Sequence, residues 1–369
     1  MVDVASYADR PARRPDLNRS PMLVFYEMTQ ACDLVCLHCR ACAQTERHPD
    51  ELTTADAALL ISQLADFPDP PMLVFTGGDP LKRRDIYQLV EVAAIAGLAP
   101  SITPSATPLA TYDAVRRLHD AGISRIAVSL DGATSAAHDA FRGVRGSFAR
   151  TMEILDNARS LDIPTQVNTT LHRGNVDQIE SMAELLATCG ITLWSVFFLV
   201  PVGRATAEMR LTAVEYEEAF SRLWREAQRR PYAIKTTEAP HYRRYVLLHQ
   251  HATARDDRPQ GVARPPRPFS ALGINDGKGV MFVSYNGRIY PSGFLPIECG
   301  SFPRDSVVSV YQNSPIFQAL RDSKRLGGKC GACEFRNVCG GSRARAYALT
   351  GDFHAAEPDC NYVPRAWRD

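Results

Sequence analysis

Three cysteines near the N-terminus have a spacing that suits a shared metal centre. Cys32, Cys36 and Cys39 stand in the pattern C-x3-C-x2-C. Thiolates hold iron–sulfur clusters, normally four to a cluster. Three of them can bind three corners of a cubane and leave one iron open to a small ligand with amino and carboxylate groups. Cys42 has two possible roles. It could be the fourth ligand of a zinc site with these three cysteines, or a buried apolar thiol beside the cluster.

A second group of cysteines lies in the C-terminal tail. Cys330, Cys333 and Cys339 follow the pattern C-x2-C-x5-C, and Cys360 comes 21 residues later. Four thiolates complete the coordination of a cluster or of a zinc ion. A four-thiolate cluster has no open iron, so its expected role is electron transfer.

The first cysteine group follows an apolar run, residues 22–28, that predicts a strand. A second predicted strand, 72–76, is followed directly by Gly77-Gly78-Asp79-Pro80. Two glycines let the backbone approach a ligand, although a plain turn would look the same. Loops at the C-terminal ends of parallel strands are where chemistry collects in α/β proteins.

Strands and helices alternate six times between residues 22 and 230, which predicts a parallel sheet with right-handed crossovers. Thr53 or Thr54 is the expected cap of the first helix. Residues 231–272 are less regular and basic, and predict a bridging segment. Residues 279–291 predict a hairpin with an Asn286-Gly287 type I′ turn.

Composition excludes several classes of protein. The 369 residues carry a net charge of +1, so no general affinity for polyanions follows, and no nucleic-acid module is visible. Residues 1–20 lack the apolar region of a secretory signal and predict a flexible arm. No apolar run has the length of a membrane span. Clustered cysteines in a long chain favour metal binding over disulfides. We expect a soluble, cytoplasmic protein.

These motifs together resemble the radical S-adenosylmethionine (SAM) superfamily, whose C-x3-C-x2-C loop has an aromatic residue or a histidine, here His38, before the last cysteine. The resemblance implies a [4Fe–4S] cluster on Cys32, Cys36 and Cys39. It also implies that the open iron chelates SAM, and that one electron cleaves SAM to a 5′-deoxyadenosyl radical. The implied fold is a partial (β/α)6 TIM barrel, with its open side facing the substrate.

The resemblance also implies residues that bind SAM. Gly77-Gly78-Asp79 resembles the Gly-Gly-Glu motif that holds the SAM amino group, with Asp in place of Glu. Ser129 and Arg142 are expected at the ribose and the carboxylate, since the arginine fork suits a carboxylate. Further expected contacts are Asn168 with the ribose hydroxyls and the Pro201–Arg204 segment with the adenine. Read without the resemblance, these residues predict turns, caps and solvated charges.

The tail resembles the SPASM domain, which carries auxiliary [4Fe–4S] clusters. Ser292 and Arg343 stand where two ligands of the first auxiliary site are expected, so the resemblance implies one auxiliary cluster, on the four tail cysteines. Cys299 is left over and predicts a structural thiol. The expected organisation is an arm at 1–20, a barrel at 21–230, a bridge at 231–272 and a small α+β cluster-binding domain at 273–369.

Finer motifs, at 38–41, 77–85, 291–296 and 339–352, resemble enzymes of heme d1 and alternative heme synthesis. This implies hydrogen abstraction from carboxylate side chains of a modified tetrapyrrole, with flavodoxin or ferredoxin as electron donor. Two alternatives remain at this stage. One is a maturase that acts on a precursor peptide, and the other is a non-catalytic zinc or iron–sulfur binding protein.

Overall fold

The structure, a computed structural model, describes residues 16–253 and 273–368. Its strands are β1 (Leu23–Glu27), β2 (Met72–Thr76), β3 (Ala99–Ile102), β4 (Arg125–Ser129), β5 (Thr165–Leu171), β6 (Leu193–Phe198), β7 (Ala233–Thr237), β8 (Val280–Val283), β9 (Arg288–Tyr290) and β10 (Gly300–Ser301). Its helices are α1 (Thr54–Ala65), α2 (Ile86–Ile95), α3 (Tyr112–Asp120), α4 (Ser135–Arg142), α5 (Ser147–Ser160), α6 (Ile179–Thr188), α7 (Ala213–Ala227), α8 (His241–Thr253), α9 (Val307–Asn313), α10 (Pro315–Arg321), α11 (Gly328–Ala332) and α12 (Arg343–Thr350).

All these strands join one sheet in the order β10-β9-β8-β1-β2-β3-β4-β5-β6-β7. Strands β1 to β7 are parallel and neighbour each other in sequence order, with helices between them. The predicted α/β fold, a partial barrel followed by a small α+β region, is confirmed. The C-terminal hairpin is continuous with the barrel sheet, because β8 pairs in parallel with β1.

The first helix shows how local sequence sets the boundaries of these elements. The Thr53 hydroxyl accepts from the Asp56 N–H at 3.1 Å, and the Asp56 carboxylate accepts from the Thr53 N–H at 3.3 Å. This reciprocal cap satisfies two N–H groups that helix geometry leaves unpaired. Leu60, Ile61 and Leu64 then follow at helical spacing and are fully buried against the sheet. The predicted cap at Thr53 or Thr54 therefore lies at Thr53.

The segment 231–272 was expected to be a less regular bridge, yet its described part forms β7 and α8. Strand β7 reads Ala-Ile-Lys-Thr-Thr, and of these residues only Ile234 is buried. Such a sequence gives no apolar run, so its strand depends on pairing with β6 rather than on local pattern. The remainder of the predicted bridge, 254–272, lies outside the described residues.

Two further expectations differ in detail. The hairpin of β8 and β9 is present, but only Gly287 of the Asn286-Gly287 pair has a positive φ, of 82°. A type I′ turn needs a positive φ at both positions, so the predicted turn type is wrong. Most of the predicted arm lies outside the described residues. Its end, residues 16–20, packs on the fold, where the Tyr311 hydroxyl donates to the Leu17 carbonyl at 2.7 Å.

Within the described residues, none of the helices has both the length and the apolar character needed to cross a membrane.

Candidate active site

The cysteine loop, residues 31–43, leaves the C-terminal end of β1 and is tied down at both sides. The Cys32 N–H donates to the Gln44 carbonyl at 2.7 Å and closes the base of the loop. The Leu37 N–H donates to the Phe141 carbonyl at 3.0 Å, which joins the loop to α4. The thiols are thus held by the backbone at the end of a strand, where the sequence places them.

Cys32, Cys36 and Cys39 line one cavity of about 230 Å³. The Arg142 guanidinium lies 3.7 Å from the Cys36 sulfur, and the Ala43 N–H donates to the Cys39 sulfur at 3.3 Å. A guanidinium and an N–H donor next to the sulfurs complement the negative charge of an iron–sulfur cluster bound by thiolates. The residues present therefore fit an iron–sulfur cluster with three cysteine ligands.

Cys42 takes no part in this cavity among the residues described. Its side chain is exposed and its backbone has a φ of 48°. In residues 16–253 and 273–368, no three Cys, His, Asp or Glu side chains converge on a position for one shared metal ion. A cubane cluster does not require the cysteines to converge on one ion, because each thiolate binds its own iron atom.

Gly77 and Gly78 line the same cavity, and the backbone of Thr29 and Ala31, at the start of the cysteine loop, explains why both are glycine. A Cβ on Gly78 would lie 2.3 Å from the Ala31 carbonyl oxygen, and one on Gly77 would lie 2.4 Å from the Thr29 oxygen. Gly78 also donates its N–H to Thr29 at 2.8 Å. The β2 turn therefore packs backbone against backbone beneath the cluster loop.

Asp79 is fully buried, and it is absent from the residues that line the cavity. Its carboxylate accepts from the Thr107 hydroxyl at 2.7 Å and from the Ser105 N–H at 3.3 Å. Burial raises the pKa of this carboxyl, and the hydrogen bonds oppose that rise. The side chain of Asp79 thus joins the β2 turn to the loop after β3.

Ser105 is a cavity residue that the sequence analysis missed. Its hydroxyl donates to the Gly78 carbonyl at 2.8 Å and lies 3.4 Å from the Cys32 sulfur. The signal that could have identified it is its place just beyond the C-terminal end of β3, in the same row of strand ends as the other site residues.

Arg142 lies at the end of α4 and lines the cavity. Its guanidinium forms an ion pair with the Asp131 carboxylate at 2.5 Å. Asp131 has no exposed side-chain surface, and its carboxylate also accepts from the Thr170 N–H at 2.7 Å. Burial would raise the pKa of Asp131, but the charge of Arg142, together with His38, His138 and the Thr170 hydrogen bond, outweighs burial, and the pKa is lowered. A buried anion therefore fixes a cation beside the Cys36 sulfur.

Ser129 and Asn168 come from neighbouring strands and both line the cavity. They are register partners across β4 and β5, so their side chains share a face of the sheet. The Asn168 carbonyl oxygen accepts from the Gln166 side chain at 2.7 Å. With its oxygen occupied in this way, Asn168 has its amide N–H groups left for a ligand.

The far wall of the cavity is apolar and includes Phe197, Val200, Val202 and Phe294. Pro201, the residue expected at the adenine, is absent from the lining although its two neighbours are present. The segment after it packs on the cysteine loop, where the Arg204 N–H donates to the Cys39 carbonyl at 3.1 Å.

The four tail cysteines line a second, smaller cavity, together with His241 and Lys329. The Cys330 sulfur accepts from the Glu357 N–H at 3.2 Å, and the Cys339 sulfur accepts from the Gly341 N–H at 3.5 Å. Both ring nitrogens of His241 are buried without a hydrogen-bond partner. An anionic, sulfur-rich cluster would supply the missing acceptor, so these residues fit the auxiliary cluster.

Ser292 and Arg343, which stand where ligands of the first auxiliary site are expected, form hydrogen bonds within the protein. The buried Ser292 hydroxyl accepts from the Phe294 N–H at 3.2 Å. The Arg343 guanidinium is buried and donates to the carbonyls of Phe353 and Ala355 at 2.9 and 2.7 Å. Burial raises the pKa of Cys299 to about 11, which fits a structural thiol.

Comparisons with known proteins agree with this geometry. Residues 26–186 match the model of the radical SAM superfamily. The chain is 36% identical over 364 residues to the AdoMet-dependent heme synthase of Nitratidesulfovibrio vulgaris, which covers 97% of both chains. It is 27% identical over 353 residues to the PqqA peptide cyclase of Bradyrhizobium diazoefficiens, covering 93% of this chain and 87% of the relative.

Among solved structures, SuiB of Streptococcus suis bound to S-adenosylmethionine has a similar fold. The TM-score is 0.72 at 15% identity, over 93% of this chain and 78% of SuiB. The chain is an iron–sulfur enzyme that uses a [4Fe–4S] cluster and SAM. The alternative of a non-catalytic zinc or iron–sulfur binding protein is therefore wrong. The chain belongs to the radical SAM superfamily, in the branch that contains the AdoMet-dependent heme synthases.

Proposed function

We propose that this enzyme abstracts hydrogen from a propionate or acetate arm of a modified tetrapyrrole, and that decarboxylation, in the case of a propionate, or loss of the side chain follows. The observation that carries the proposal is the similarity to a heme synthase over 97% of both chains. That length includes the strands around the cavity as well as the cluster loops, so it extends to the walls that would contact a substrate.

The residue assignments belong to the same proposal. Cys32, Cys36 and Cys39 hold the catalytic cluster, which supplies the electron that cleaves SAM to a 5′-deoxyadenosyl radical. The backbone of Gly77 and Gly78 receives the SAM amino group, and Arg142 receives its carboxylate. Asp79 acts indirectly, since its carboxylate braces the turn through Thr107 and Ser105. Ser129 and Asn168 orient the ribose, and the segment around Pro201 borders the adenine.

The proposed decarboxylation of a propionate arm releases one electron, so the reaction needs a one-electron acceptor. Loss of a hydrogen atom from the carbon next to the ring gives 5′-deoxyadenosine and a carbon radical on the arm. Release of carbon dioxide then turns a propionate into a vinyl group and leaves one electron. Cys330, Cys333, Cys339 and Cys360 would hold the auxiliary cluster, which would supply the capacity to accept one electron.

The walls of the cavity support a planar, anionic substrate. Arg40 lines the cavity, lies over the ring of Phe282 at 4.6 Å and pairs with Glu27 at 2.6 Å. Phe197 and Phe294 stand 6.3 Å apart between ring centroids on the apolar wall. Aromatic faces pack on a macrocycle and arginines bind its carboxylates.

The proposal is tested by anaerobic assay of the reconstituted enzyme with iron coproporphyrin III, SAM and a reductant. We expect 5′-deoxyadenosine and tetrapyrrole products that have lost carbon dioxide, both measured by liquid chromatography with mass detection. Didecarboxysiroheme serves as the second substrate. If the enzyme cleaves SAM but converts neither of these two substrates, the proposal is contradicted.

The ligand assignment is tested by a matched pair of variants. Cys36→Ala removes a thiol that lines the cavity, and Cys42→Ala removes one that is exposed nearby. We expect Cys36→Ala to lose about four iron atoms per chain and all SAM cleavage, while Cys42→Ala keeps both. Loss of iron from Cys42→Ala would give that residue the role of a ligand.

A second candidate function is supported by the similarity to a PqqA peptide cyclase, at 27% identity. Under this alternative the enzyme matures a precursor peptide encoded by a neighbouring gene. It predicts SAM cleavage that depends on that peptide and is indifferent to tetrapyrroles.

The electron donor and the compartment complete the proposal. All ten cysteines are free, and eight of them lie in the two groups described above. Free, clustered thiols fit a reducing compartment, so we infer a cytoplasmic enzyme. We propose flavodoxin or ferredoxin as the donor, which reduction assays with each purified protein would test.

A further inference from the structure

Two cationic side chains lie inside the barrel away from the cavity described above. Lys235 is on β7 and Arg125 is at the start of β4. Both residues are half-buried, and neither has an ion-pair partner among the described acidic residues, although desolvated charges are normally paired. The Arg125 Nε is buried without any hydrogen-bond partner.

The register of the sheet places Lys235 on the face that carries the active site. Ser129 pairs with Asn168, Asn168 with Ser195, and Ser195 with Lys235. Register partners in parallel strands point to the same side of a sheet. Because Ser129 and Asn168 line the cavity, Lys235 also faces the barrel interior. It lies two strands from Asn168, or about 10 Å at the usual strand separation.

Arg125 shares that face, since Ser129 lies four residues further along the same strand. One of its guanidinium nitrogens contacts the Gln166 side-chain oxygen at 3.5 Å, and Gln166 in turn donates to Asn168 at 2.7 Å. A polar chain thus runs from Arg125 through Gln166 to Asn168 of the active site.

The two cations also repel each other. Burial lowers the pKa of Lys235 to about 8, and the charge of Arg125 contributes to this effect. Burial lowers the pKa of Arg125 as well. Two desolvated, like-charged groups cost folding free energy, and a bound anion would relieve both costs.

We propose that Lys235 and Arg125 form a binding subsite for a carboxylate of the substrate, an inference that rests on the proposed function. A carboxylate accepts charge-assisted hydrogen bonds from both side chains. A tetrapyrrole carries carboxylates on several edges of a broad ring. One of them can bind this pair while another arm lies next to the SAM site, so the subsite selects which arm reacts.

The test compares variants at one position with a matched surface control. Lys235→Met keeps the length of the side chain and removes its charge, and Lys235→Arg keeps the charge. Lys324→Met alters an exposed lysine of the C-terminal region. Each protein, reconstituted and bound to SAM, is titrated with iron coproporphyrin III, and binding is followed by absorbance.

We expect Lys235→Met to bind the tetrapyrrole about tenfold to a hundredfold more weakly, the value of one charged hydrogen bond. Lys235→Arg and Lys324→Met should bind like the wild type. Thermal unfolding without substrate gives an independent reading, in which Lys235→Met should have a higher midpoint. Removal of an unpaired, partly desolvated charge stabilises a protein, whereas loss of a merely structural lysine would lower the midpoint.

The outcomes separate this inference from the proposed function. A wild type that binds neither iron coproporphyrin III nor didecarboxysiroheme overturns both proposals. If the wild type binds one of the two tetrapyrroles and Lys235→Met binds it equally well, the subsite alone is overturned. If Lys235→Met does not fold, Arg125→Met is titrated in its place, and unchanged affinity in that variant likewise overturns the subsite.

Discussion

At the scale of single residues, the site depends on a buried pair of opposite charges beside the cluster loop. Arg142 stands between the Cys36 sulfur and Asp131, and it is the charge of Asp131 that allows a guanidinium to be buried there. The cysteines could be predicted from their spacing, because metal ligation needs a fixed set of thiols. Asp131 could not, because Asp-Gly after a strand predicts a turn, and its contacts come from α4 and β5.

The first prediction concerns this pair. Asp131→Asn leaves Arg142 buried without its counter-charge, which should cost about 3–5 kcal/mol of unfolding free energy. Asp113→Asn is the matched control, since it breaks a pair with Arg116 whose side chains are 64% and 47% exposed. That change should cost less than about 1 kcal/mol. Anaerobic urea unfolding measures both, and equal effects would contradict the role given to Asp131.

At the scale of elements, the loops after β1, β2 and β3 form the site by packing on one another. Gly78 packs against the backbone of the cysteine loop, and the Asp79 carboxylate connects the β2 turn to Ser105 through a hydrogen bond. From the sequence, we expect Gly77 and Gly78 to let the backbone approach a ligand. The sequence does not reveal that they also face protein backbone, because packing between loops distant in sequence leaves no local pattern.

The second prediction concerns Gly78→Ala. Its new Cβ would lie 2.3 Å from the Ala31 carbonyl and must displace the cysteine loop. We expect a loss of about 1–3 kcal/mol in stability and about tenfold weaker SAM binding by calorimetry. Gly97→Ala is the control: it has a φ of 76° and meets no atom within 4 Å. It should lose stability through backbone strain and keep its affinity for SAM.

At the scale of the whole molecule, the C-terminal region is joined to the barrel through the sheet and through a buried charge network. Strand β8 extends the barrel sheet beside β1. Arg345 of α12 is fully buried and pairs with Glu357 at 3.1 Å and with Asp359 at 3.3 Å. It also contacts the Phe198 carbonyl at the end of β6. This network connects the strand ends of the active site to the tail that carries the second group of cysteines.

The alternation of apolar runs and helical patterns was enough to predict the six barrel units. Strand β7 was missed because it has only one buried residue. The pairing of β8 with β1 was missed because the two strands are more than 250 residues apart. Interactions of this kind appear only once the chain is folded.

The third prediction concerns Arg345→Met, which leaves the carboxylate of Glu357 buried without its cationic partner. It should cost about 3–5 kcal/mol and loosen the tail from the barrel. Hydrogen exchange should therefore accelerate in α11 and α12 while α1 stays protected. Arg288→Met, which breaks an exposed pair with Glu298, is the control. Unchanged exchange in the tail of Arg345→Met would show that the network does not hold the two regions together.

The most direct test of the whole account is to follow the abstracted hydrogen. Iron coproporphyrin III is labelled with deuterium on the propionate carbons next to the ring and incubated with reduced enzyme and SAM. The account predicts 5′-deoxyadenosine that is heavier by one deuterium, formed along with release of carbon dioxide from the same arm. Unlabelled 5′-deoxyadenosine, produced at the same rate with and without the tetrapyrrole, would contradict it.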